Sequence, residues 1–386
     1  MITFANRLQT VQEYYFSKKL REVRGLIAEG KPIINMGIGS PDLPPPSSVI
    51  EAIQNSVAEN GAHKYQSYQG IPELREAIST FYKENYTVSL HPNTEILPLM
   101  GSKEGIMHIS LALLNEGDGV LIPNPGYPTY SSVTKLVGAT PLYYNLTEDN
   151  NYQPDFSQLE KLDLENVKLM WVNYPHMPTG TNASIETLEK IVAFGKKYNI
   201  LIVNDNPYSF ILNNTPTSIL QISGAKDIAL ELNSLSKSFN MAGWRVGMLT
   251  GKQEFLTEVL KVKTQMDSGM FYGVQKGAIA ALQLSNDWFK NLNNIYTTRR
   301  ELIYQLIEKL GCSYIKNSTG MFVWTKIPSN RKSEEFIDEL LHKYHLFVAP
   351  GSIFGNQGEG YIRFSLCVKE EDIKTAIQRI DNLMDK

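Results

Sequence analysis

Short apolar runs alternate with helical segments through the middle of the chain, and this alternation constrains the fold more than any other feature of the sequence. An uninterrupted run such as residues 200–203 is typical of a strand that is buried on both faces. Strands that alternate with helices predict an α/β fold, a mainly parallel sheet with helices on both of its faces. The predicted strands lie at residues 95–100, 120–122, 169–173, 200–203, 228–232 and 246–249.

The pattern changes at both ends of this region, which predicts a second domain. A chain of 386 residues is too long for one ordinary core. The segment GIGSPDLPPP at residues 37–46 ends in consecutive prolines, which exclude a helix or a central strand there. We predict a large domain at residues 46–286 and a smaller α+β domain built from residues 1–45 and 287–386.

An amphipathic helix is predicted within the first 36 residues, before a short apolar segment. Its apolar positions are Leu8, Val11, Tyr15 and Leu20, which stand among charged residues. This arrangement is typical of a helix that packs one face against a core.

Composition and charge exclude several classes of partner. The net charge of −3 gives no reason to expect a nucleic acid or an anionic membrane. The two cysteines, Cys312 and Cys367, are too few for a disulfide framework and fit a reducing compartment. The N-terminus lacks a basic region followed by an apolar run, and no stretch reaches about 18 uninterrupted apolar residues. A soluble, cytoplasmic protein is expected.

The stretch SLSKSFNMAGWRVG at residues 234–247 places a lysine after a predicted strand and an arginine eight residues later. A lysine amine attacks a carbonyl only when it is unprotonated, so it needs nearby cations or a dry pocket that lowers its pKa. Arg245 can provide that charge for Lys237, and the hydroxyls of Ser234 and Ser236 can accompany it on a phosphate dianion. The stretch is typical of carbonyl chemistry on a phosphorylated aldehyde; the alternative is a basic surface turn.

Further polar residues directly follow other predicted strands. The turn GSKEG, with Ser102 and Lys103, leads into a helix, and the unpaired N–H groups at a helix N-terminus attract anions. Tyr127 lies on a Pro/Gly-rich turn and either faces a ligand or covers the core. Asp205 ends a strand, where a carboxylate is costly unless it is paired, although a turn or helix-capping Asp also fits. Because open α/β sheets bind ligands outside the carboxyl ends of their strands, these residues are expected to share one site.

These motifs resemble, in their order, those of the class I/II aminotransferases, the fold type I enzymes that depend on pyridoxal 5'-phosphate. The resemblance rests on SLSK with its arginine, on NYPHMPTG at residues 173–180 and on GYIRFS at residues 360–365. It implies that a homodimer without a metal moves an α-amino group between an amino acid and a 2-oxo acid by a ping-pong mechanism. The same constellation serves carbon–sulfur β-lyases and decarboxylases, and a non-enzymatic sensor module is a further alternative.

The resemblance also implies a role for each residue around the cofactor. Lys237 would form the internal aldimine and then move the proton from the substrate Cα. Asp205 would pair with the pyridine nitrogen, Tyr127 would stack on the ring, and Tyr208 would donate to the phenolate oxygen. The phosphate would be bound by Ser102, Lys103, Ser234, Ser236 and Arg245, with Tyr65 reaching in from the neighbouring subunit.

Substrate contacts are implied in the same way. Arg363 would hold the α-carboxylate as a bidentate partner, and Gly39 would donate its backbone N–H; an exposed strand arginine and a hinge glycine are the alternatives. EYYF at residues 13–16 resembles a segment that supplies a tyrosine in LL-diaminopimelate aminotransferases, which makes Tyr14 a candidate substrate contact. No arginine for an acidic substrate stands in residues 265–272, so aromatic amino acids, methionine or other neutral amino acids are the expected donors.

The sequence departs from the family pattern at Met177. The asparagine that precedes P-T-G in the family donates to the phenolate oxygen and helps to hold the substrate carboxylate, and a methionine can do neither. Either Asn173 or His176 replaces this donor, or the internal aldimine titrates at a higher pH than usual because its phenolate is less stabilised.

Restoring the family's residue with Met177→Asn should therefore lower the pKa of the internal aldimine. A hydrogen bond to a charged group contributes about 1.5–3 kcal/mol, which corresponds to about one to two pH units. A spectrophotometric pH titration of the cofactor-loaded wild type and variant measures the difference. Identical titration curves would mean that position 177 has no special role.

Overall fold

The computed structural model describes residues 2–11, 13, 15–329 and 331–384. In this part of the chain no helix combines the length and the apolar character that crossing a membrane requires. Apart from short 3-10 helices, the helices are α1 (Tyr15–Ala28), α2 (Ser47–Ser56), α3 (Pro72–Tyr86), α4 (Ser102–Leu113), α5 (Pro128–Leu136), α6 (Phe156–Leu159), α7 (Ile185–Tyr198), α8 (Leu235–Ser238), α9 (Gln253–Lys263), α10 (Tyr272–Leu282), α11 (Asn286–Lys309), α12 (Ser333–Tyr344) and α13 (Glu370–Met384). The strands are β1 (Ile34–Asn35), β2 (Ile96–Leu99), β3 (Gly119–Asn124), β4 (Thr140–Asn145), β5 (Val167–Val172), β6 (Leu201–Asp205), β7 (Ala229–Ser234), β8 (Gly247–Gly251), β9 (Ser313–Tyr314), β10 (Phe322–Lys326), β11 (Leu346–Phe347), β12 (Ala349–Pro350) and β13 (Tyr361–Ser365).

Seven strands form the central sheet in the order β2-β8-β7-β6-β5-β3-β4. Strands β7, β6, β5, β3 and β4 pair in parallel, whereas β8 is antiparallel to both of its neighbours, β7 and β2. The chain passes from β7 to β8 without a full crossover helix, and a short connection returns the chain in the opposite direction. The predicted mainly parallel sheet is confirmed.

Both faces of this sheet are buried, because successive side chains of a strand point to opposite sides. In β5, Met170 and Val172 belong to one apolar core, while Leu169 and Trp171 belong to the other. Helices α3, α7 and α10 contribute to the first core, and helices α4, α5 and α9 contribute to the second. The apolar runs of the sequence are uninterrupted because both faces of each strand need apolar side chains.

Two smaller sheets bring the ends of the chain together. The antiparallel sheet β12-β13-β10-β9 comes entirely from the C-terminal part. Strand β1 pairs with β11, which places Ile34 beside Leu346, and the N–H of Ser365 donates to the carbonyl of Met36 at 2.7 Å. The N-terminal piece is therefore built into the C-terminal part, while the domain boundaries near residues 46 and 286 stay a prediction.

The beginning of the chain does not form the single amphipathic helix that the sequence predicts. A 3-10 helix covers Asn6–Thr10, Val11 is extended, and α1 begins only at Tyr15. Leu8 remains 52% exposed. Most helix stability in proteins comes from packing an apolar face, and Leu8 does not bury its side chain in a core.

Arg299 of α11 fixes the loop that follows β1. Its guanidinium is 3% exposed and donates to both carboxylate oxygens of Asp42, at 2.7 and 2.9 Å. It also donates to Glu370 at 2.9 Å and to the Leu366 carbonyl at 3.1 Å. A buried charge that loses its partner is strongly destabilising, so this cluster holds the Gly37–Pro46 loop against the C-terminal part.

Asp42→Asn should lower the free energy of unfolding by about 2 kcal/mol, because buried Arg299 loses a charged bidentate acceptor. Equilibrium urea unfolding of wild type and variant measures the change. As a control, Asp287→Asn removes an exposed pair with Lys290 on the same helix and should leave the unfolding midpoint unchanged. Equal losses in the two variants would contradict the special role of Asp42.

Candidate active site

A cavity of about 370 Å³ lies where the parallel strands end. Asp205 is the last residue of β6, Ser234 is the last residue of β7, and Asn173 directly follows β5. The predicted site residues that line the cavity are Gly39, Ser102, Lys103, Tyr127, Asn173, Asp205, Tyr208, Ser234, Ser236, Lys237, Arg245 and Arg363. The carboxyl ends of the strands thus bring together segments that are far apart in the sequence.

Lys237 lies in α8, which follows β7 directly. Its Nζ donates to the carbonyl oxygen of Gly39. Burial lowers the pKa of Lys237, and the positive charges of Arg363 and Arg245 lower it further. This environment favours the neutral amine, which is the form that reacts with carbonyl groups and accepts protons.

Ser234 and Ser236 position α8 and connect to each other. Ser234 is the N-cap of the helix: its Oγ accepts from the Ser236 N–H at 3.1 Å. The same Oγ donates to the Oγ of Ser236 at 2.9 Å. The segment that the sequence predicts as a turn is therefore a capped turn of helix that holds the lysine at a fixed place.

Only one of the two carboxylate oxygens of Asp205 has a hydrogen-bond partner among the described residues. Its Oδ2 accepts from the hydroxyl of Tyr130 at 2.8 Å, while its Oδ1 is buried and has no hydrogen-bond partner among the described residues. Burial raises the pKa of Asp205 to about 6, although the bond from Tyr130 acts in the opposite direction. A cationic or N–H group beside Oδ1 would satisfy this oxygen and stabilise its charge.

Two glycines allow close packing of Arg245 and the backbone at the N-terminus of α4. Gly101, with a φ of +90°, is the N-cap, and a Cβ there would lie 2.1 Å from Nη2 of Arg245. A Cβ on Gly247 would lie 2.6 Å from the backbone nitrogen of Ser102. Both glycines therefore let these groups approach the backbone, and N–H groups and a guanidinium at a helix N-terminus can bind a phosphate group.

Arg363 of β13 is 5% exposed, so it is not the exposed strand arginine that was one alternative. Its Nη2 donates to the Gly37 carbonyl at 2.9 Å. Its Nη1 lies 3.2 Å from the sulfur of Met177, which is a weak acceptor. A carboxylate in the cavity would be a far better partner for this guanidinium than the thioether.

The two residues considered as substitutes for the missing asparagine are both engaged elsewhere. Asn173 donates to the carbonyl of Asp205 and accepts from the N–H of Met177 at 2.8 Å. His176 is buried, does not line the cavity, and pairs through Nδ1 with Thr179 at 2.8 Å. Burial lowers the pKa of His176 to about 3, so the ring is neutral. These contacts argue against His176 as the replacement donor.

Gly39 lines the cavity and also contacts Lys237, while the substrate contact of its N–H stays a prediction. Its carbonyl, rather than its N–H, makes the observed bond, which it accepts from Lys237. A Cβ at this position would lie 2.3 Å from Cζ of Phe322. Only glycine fits between that ring and the lysine, so this residue is required for packing whether or not its N–H contacts a substrate.

Two predicted residues lie outside this arrangement. Tyr65 is 90% exposed and does not line the cavity of its own chain. Tyr14 lies outside the described residues. Their predicted contacts stay predictions.

Several aromatic residues of the cavity were missed by the sequence analysis. Tyr130 holds Asp205 and stacks on Trp171 at 5.0 Å between ring centroids. Its position three residues after Tyr127, at the start of α5, was the available signal. The cavity wall also contains Phe16, Phe322 and Phe354.

The sequence profile of the family described as "Aminotransferase class I and II" matches residues 31–380. The LL-diaminopimelate aminotransferase of Aquifex aeolicus is 39% identical over 99% of this chain and 100% of its own length. The substrate-bound structure of BacF from Bacillus subtilis has a TM-score of 0.94 at 36% identity, covering 99% of this chain and 98% of the other. An aminotransferase from Staphylococcus aureus has a TM-score of 0.90 at 31% identity, covering 98% and 99%.

Asp205→Asn should make the cofactor-free protein more stable at pH 8. The pKa of Asp205 in the folded protein, about 6, lies above its value in the unfolded chain. The protonated carboxyl therefore contributes stability below about pH 4, and this contribution is lost as the pH rises through about 6. Its ionised form then costs about 2–3 kcal/mol, which the neutral amide avoids while still accepting from Tyr130. Urea unfolding from pH 5 to pH 8 should show a gap that widens with pH.

The matched control is Asp267→Asn. This carboxylate accepts from the buried Lys263 at 2.8 and 2.9 Å, so its removal should destabilise the protein. If Asp205→Asn also lowers stability at every pH, the unsatisfied carboxylate is not a source of strain in the empty cavity.

Proposed function

The chain belongs to the class I and II aminotransferases, and we propose that it performs their reaction with pyridoxal 5'-phosphate held beside Lys237. Such an enzyme moves an α-amino group from an amino acid to a 2-oxo acid in two half-reactions. One observation carries the proposal. A lysine with a lowered pKa shares one cavity with the buried carboxylate of Asp205, whose Oδ1 has no hydrogen-bond partner among the described residues.

The residues of the cavity fit this cofactor. When bound, pyridoxal phosphate supplies an electron-withdrawing ring that stabilises negative charge at the substrate Cα. Asp205 would hold the proton of the ring nitrogen through Oδ1, and that positive charge would reverse the pKa rise that burial causes. Tyr130 would keep the carboxylate oriented through its bond to Oδ2.

The phosphate group would lie at the N-terminus of α4. Gly101 and Gly247 allow close packing of Arg245 and the backbone there, and the helix dipole and unpaired N–H groups attract an anion. A dianion there would also replace the bond between the two serine hydroxyls. The residues proposed to bind it are Ser102, Lys103, Ser234, Ser236 and Arg245.

The walls around the ring would come from Tyr127, Tyr208 and Asn173. Tyr127 would stack on one face of the ring. Burial raises the pKa of Tyr208, so its hydroxyl stays protonated at neutral pH and can donate to the phenolate oxygen. Asn173 would fix this wall through its bonds to the backbone of Asp205 and Met177.

Lys237 would act as the base in both half-reactions. Burial lowers the pKa of its Nζ, which favours the neutral amine that would take up the proton of the substrate Cα. The carbonyl of Gly39 accepts from Nζ and would hold the amine in place between these steps.

Arg363 would bind the substrate α-carboxylate, which would displace the Met177 sulfur from Nη1. The N–H of Gly39 is the second proposed contact of this carboxylate. One candidate amino donor is LL-diaminopimelate, the compound in the name of the Aquifex aeolicus relative. The other candidates are the neutral amino acids expected from the sequence.

The proposed assembly is a homodimer, with Tyr65 completing the phosphate site of the neighbouring subunit. The ring is 90% exposed in a single chain, so it is accessible to a second copy. Both cysteines are unpaired, which supports a cytoplasmic location.

Lys237→Ala should lower turnover by at least about 1,000-fold, because the reaction loses its general base. The phosphate and ring contacts remain, so equilibrium dialysis should still detect bound pyridoxal phosphate, while the absorbance above about 400 nm, typical of a lysine-linked cofactor, should be absent. Lys190→Ala, on the exposed face of α7, is the control and should behave as the wild type. Turnover near the wild-type rate in Lys237→Ala would overturn the proposed role.

A further inference from the structure

We propose that the amino donor of this enzyme carries a neutral, apolar side chain and that LL-diaminopimelate is a poor donor. The inference rests on the proposed function and specifies the substrate class of the same site. It follows from which charged groups line the cavity, from the side chains that surround Arg363, and from the segments that a second copy can add.

Every charged side chain that lines the described part of the cavity already has a task in the reaction. The acidic one is Asp205, which is assigned to the ring nitrogen. The basic ones are Lys237 as the base, Arg363 for the α-carboxylate, and Lys103 and Arg245 for the phosphate. LL-diaminopimelate carries a second ammonium and a second carboxylate at its far end, and these would find no matching charge within the described lining.

The remaining wall is apolar and comes from three parts of the chain. Phe16 and Leu20 project from α1, Ile38 follows β1, and Phe322 and Phe354 come from the C-terminal part. Contact between this surface and an aliphatic or aromatic substrate side chain is favourable, because it removes apolar area from water. A charged side chain in the same place would lose its water without gaining a partner.

The aromatic residues enclose the carboxylate-binding group itself. The guanidinium carbon of Arg363 lies 3.9 Å from the ring centroid of Phe322, 4.7 Å from that of Phe354 and 5.9 Å from that of Phe16. Met177 closes another side with its thioether. The substrate side chain must therefore extend from a carboxylate that is already surrounded by apolar groups.

The segment that a second copy is proposed to add brings no acidic group. The loop that would carry Tyr65 into the neighbouring cavity, residues 63–69, contains no aspartate or glutamate. Beside it, residues 268–271 line the same surface pocket. The nearby carboxylate of Asp267 is already hydrogen-bonded within its own chain. It accepts from buried Lys263 and from the Gly269 N–H at 2.8 Å.

The test uses the first half-reaction alone, with the cofactor-loaded enzyme, a single amino donor and no 2-oxo acid. The loss of cofactor absorbance gives a second-order rate constant for each donor. L-Phenylalanine, L-methionine and L-leucine should each exceed LL-diaminopimelate, L-lysine and L-aspartate by at least about 100-fold, since unpaired buried charge is strongly rejected. Calorimetry should show tighter binding of unreactive 3-phenylpropanoate than of heptanedioate.

Matched variants locate the selectivity on α1. Phe16→Ala should lower the rate constant for L-phenylalanine by about tenfold or more and change that for L-alanine little, and Phe16→Leu should recover most of the loss. Leu20→Glu places a carboxylate in the apolar wall and should shift the ratio of LL-diaminopimelate to L-phenylalanine by about tenfold or more in favour of the diamino acid.

The possible outcomes separate the two proposals. If LL-diaminopimelate or L-aspartate reacts as fast as the apolar donors, the inference is overturned and the proposed function stands. If no donor of either class changes the absorbance although 3-phenylpropanoate binds, the proposed function is overturned and the inference falls with it. If the donor ranking is as expected but Phe16→Ala leaves it unchanged, the assignment to α1 is overturned.

Discussion

Removal of charged groups from water is the physical constraint on which this active site depends. Burial lowers the pKa of Lys237 and raises the pKa of Asp205 to about 6, so in both groups it disfavours the charged form. For the lysine this change is useful at once, because a neutral amine is both nucleophile and base. For the aspartate, burial of the charged form costs free energy, and a protonated ring nitrogen would offset that cost. In the proposed complex, cofactor binding and ring protonation would thereby be coupled through one carboxylate, whose second oxygen accepts from Tyr130.

The carboxylate-binding corner of the site is assembled from segments that lie far apart in the sequence. Arg363 comes from β13 and donates to Gly37 after β1, while Met177 reaches it from the loop after β5. The pairing of β1 with β11 and the cluster around Arg299 hold these segments together. The contacts that stabilise these segments therefore also position the proposed substrate-binding residues, and a substitution at Asp42 would be expected to disturb both.

The sequence was sufficient to predict the sheet and the residues at the ends of its strands, because parallel strands place their carboxyl ends at one edge whatever the packing details. Asp205 and Ser234 illustrate this. Tyr130 was not predicted, since its bond to Asp205 depends on how α5 packs across a strand that lies 75 residues further along the chain. Phe16 was not predicted, since an N-terminal helix has no local signal for which cavity it will cover. The contact of Tyr65 depends on a second molecule and cannot be read from one chain.

The position of α1 separates two properties that many enzymes build from the same residues. Asp205 and Lys237, which are proposed to carry out the chemistry, lie at the ends of strands of the central sheet or directly after them, whereas Phe16 and Leu20 stand on a helix near the chain terminus that contributes little to the two cores of that sheet. Substitutions in α1 would therefore be expected to change the proposed substrate preference while leaving Lys237 and Asp205 in place. Among aminotransferases of this fold, the residues proposed to carry out the reaction could be inherited unchanged while the wall formed by α1 diverges.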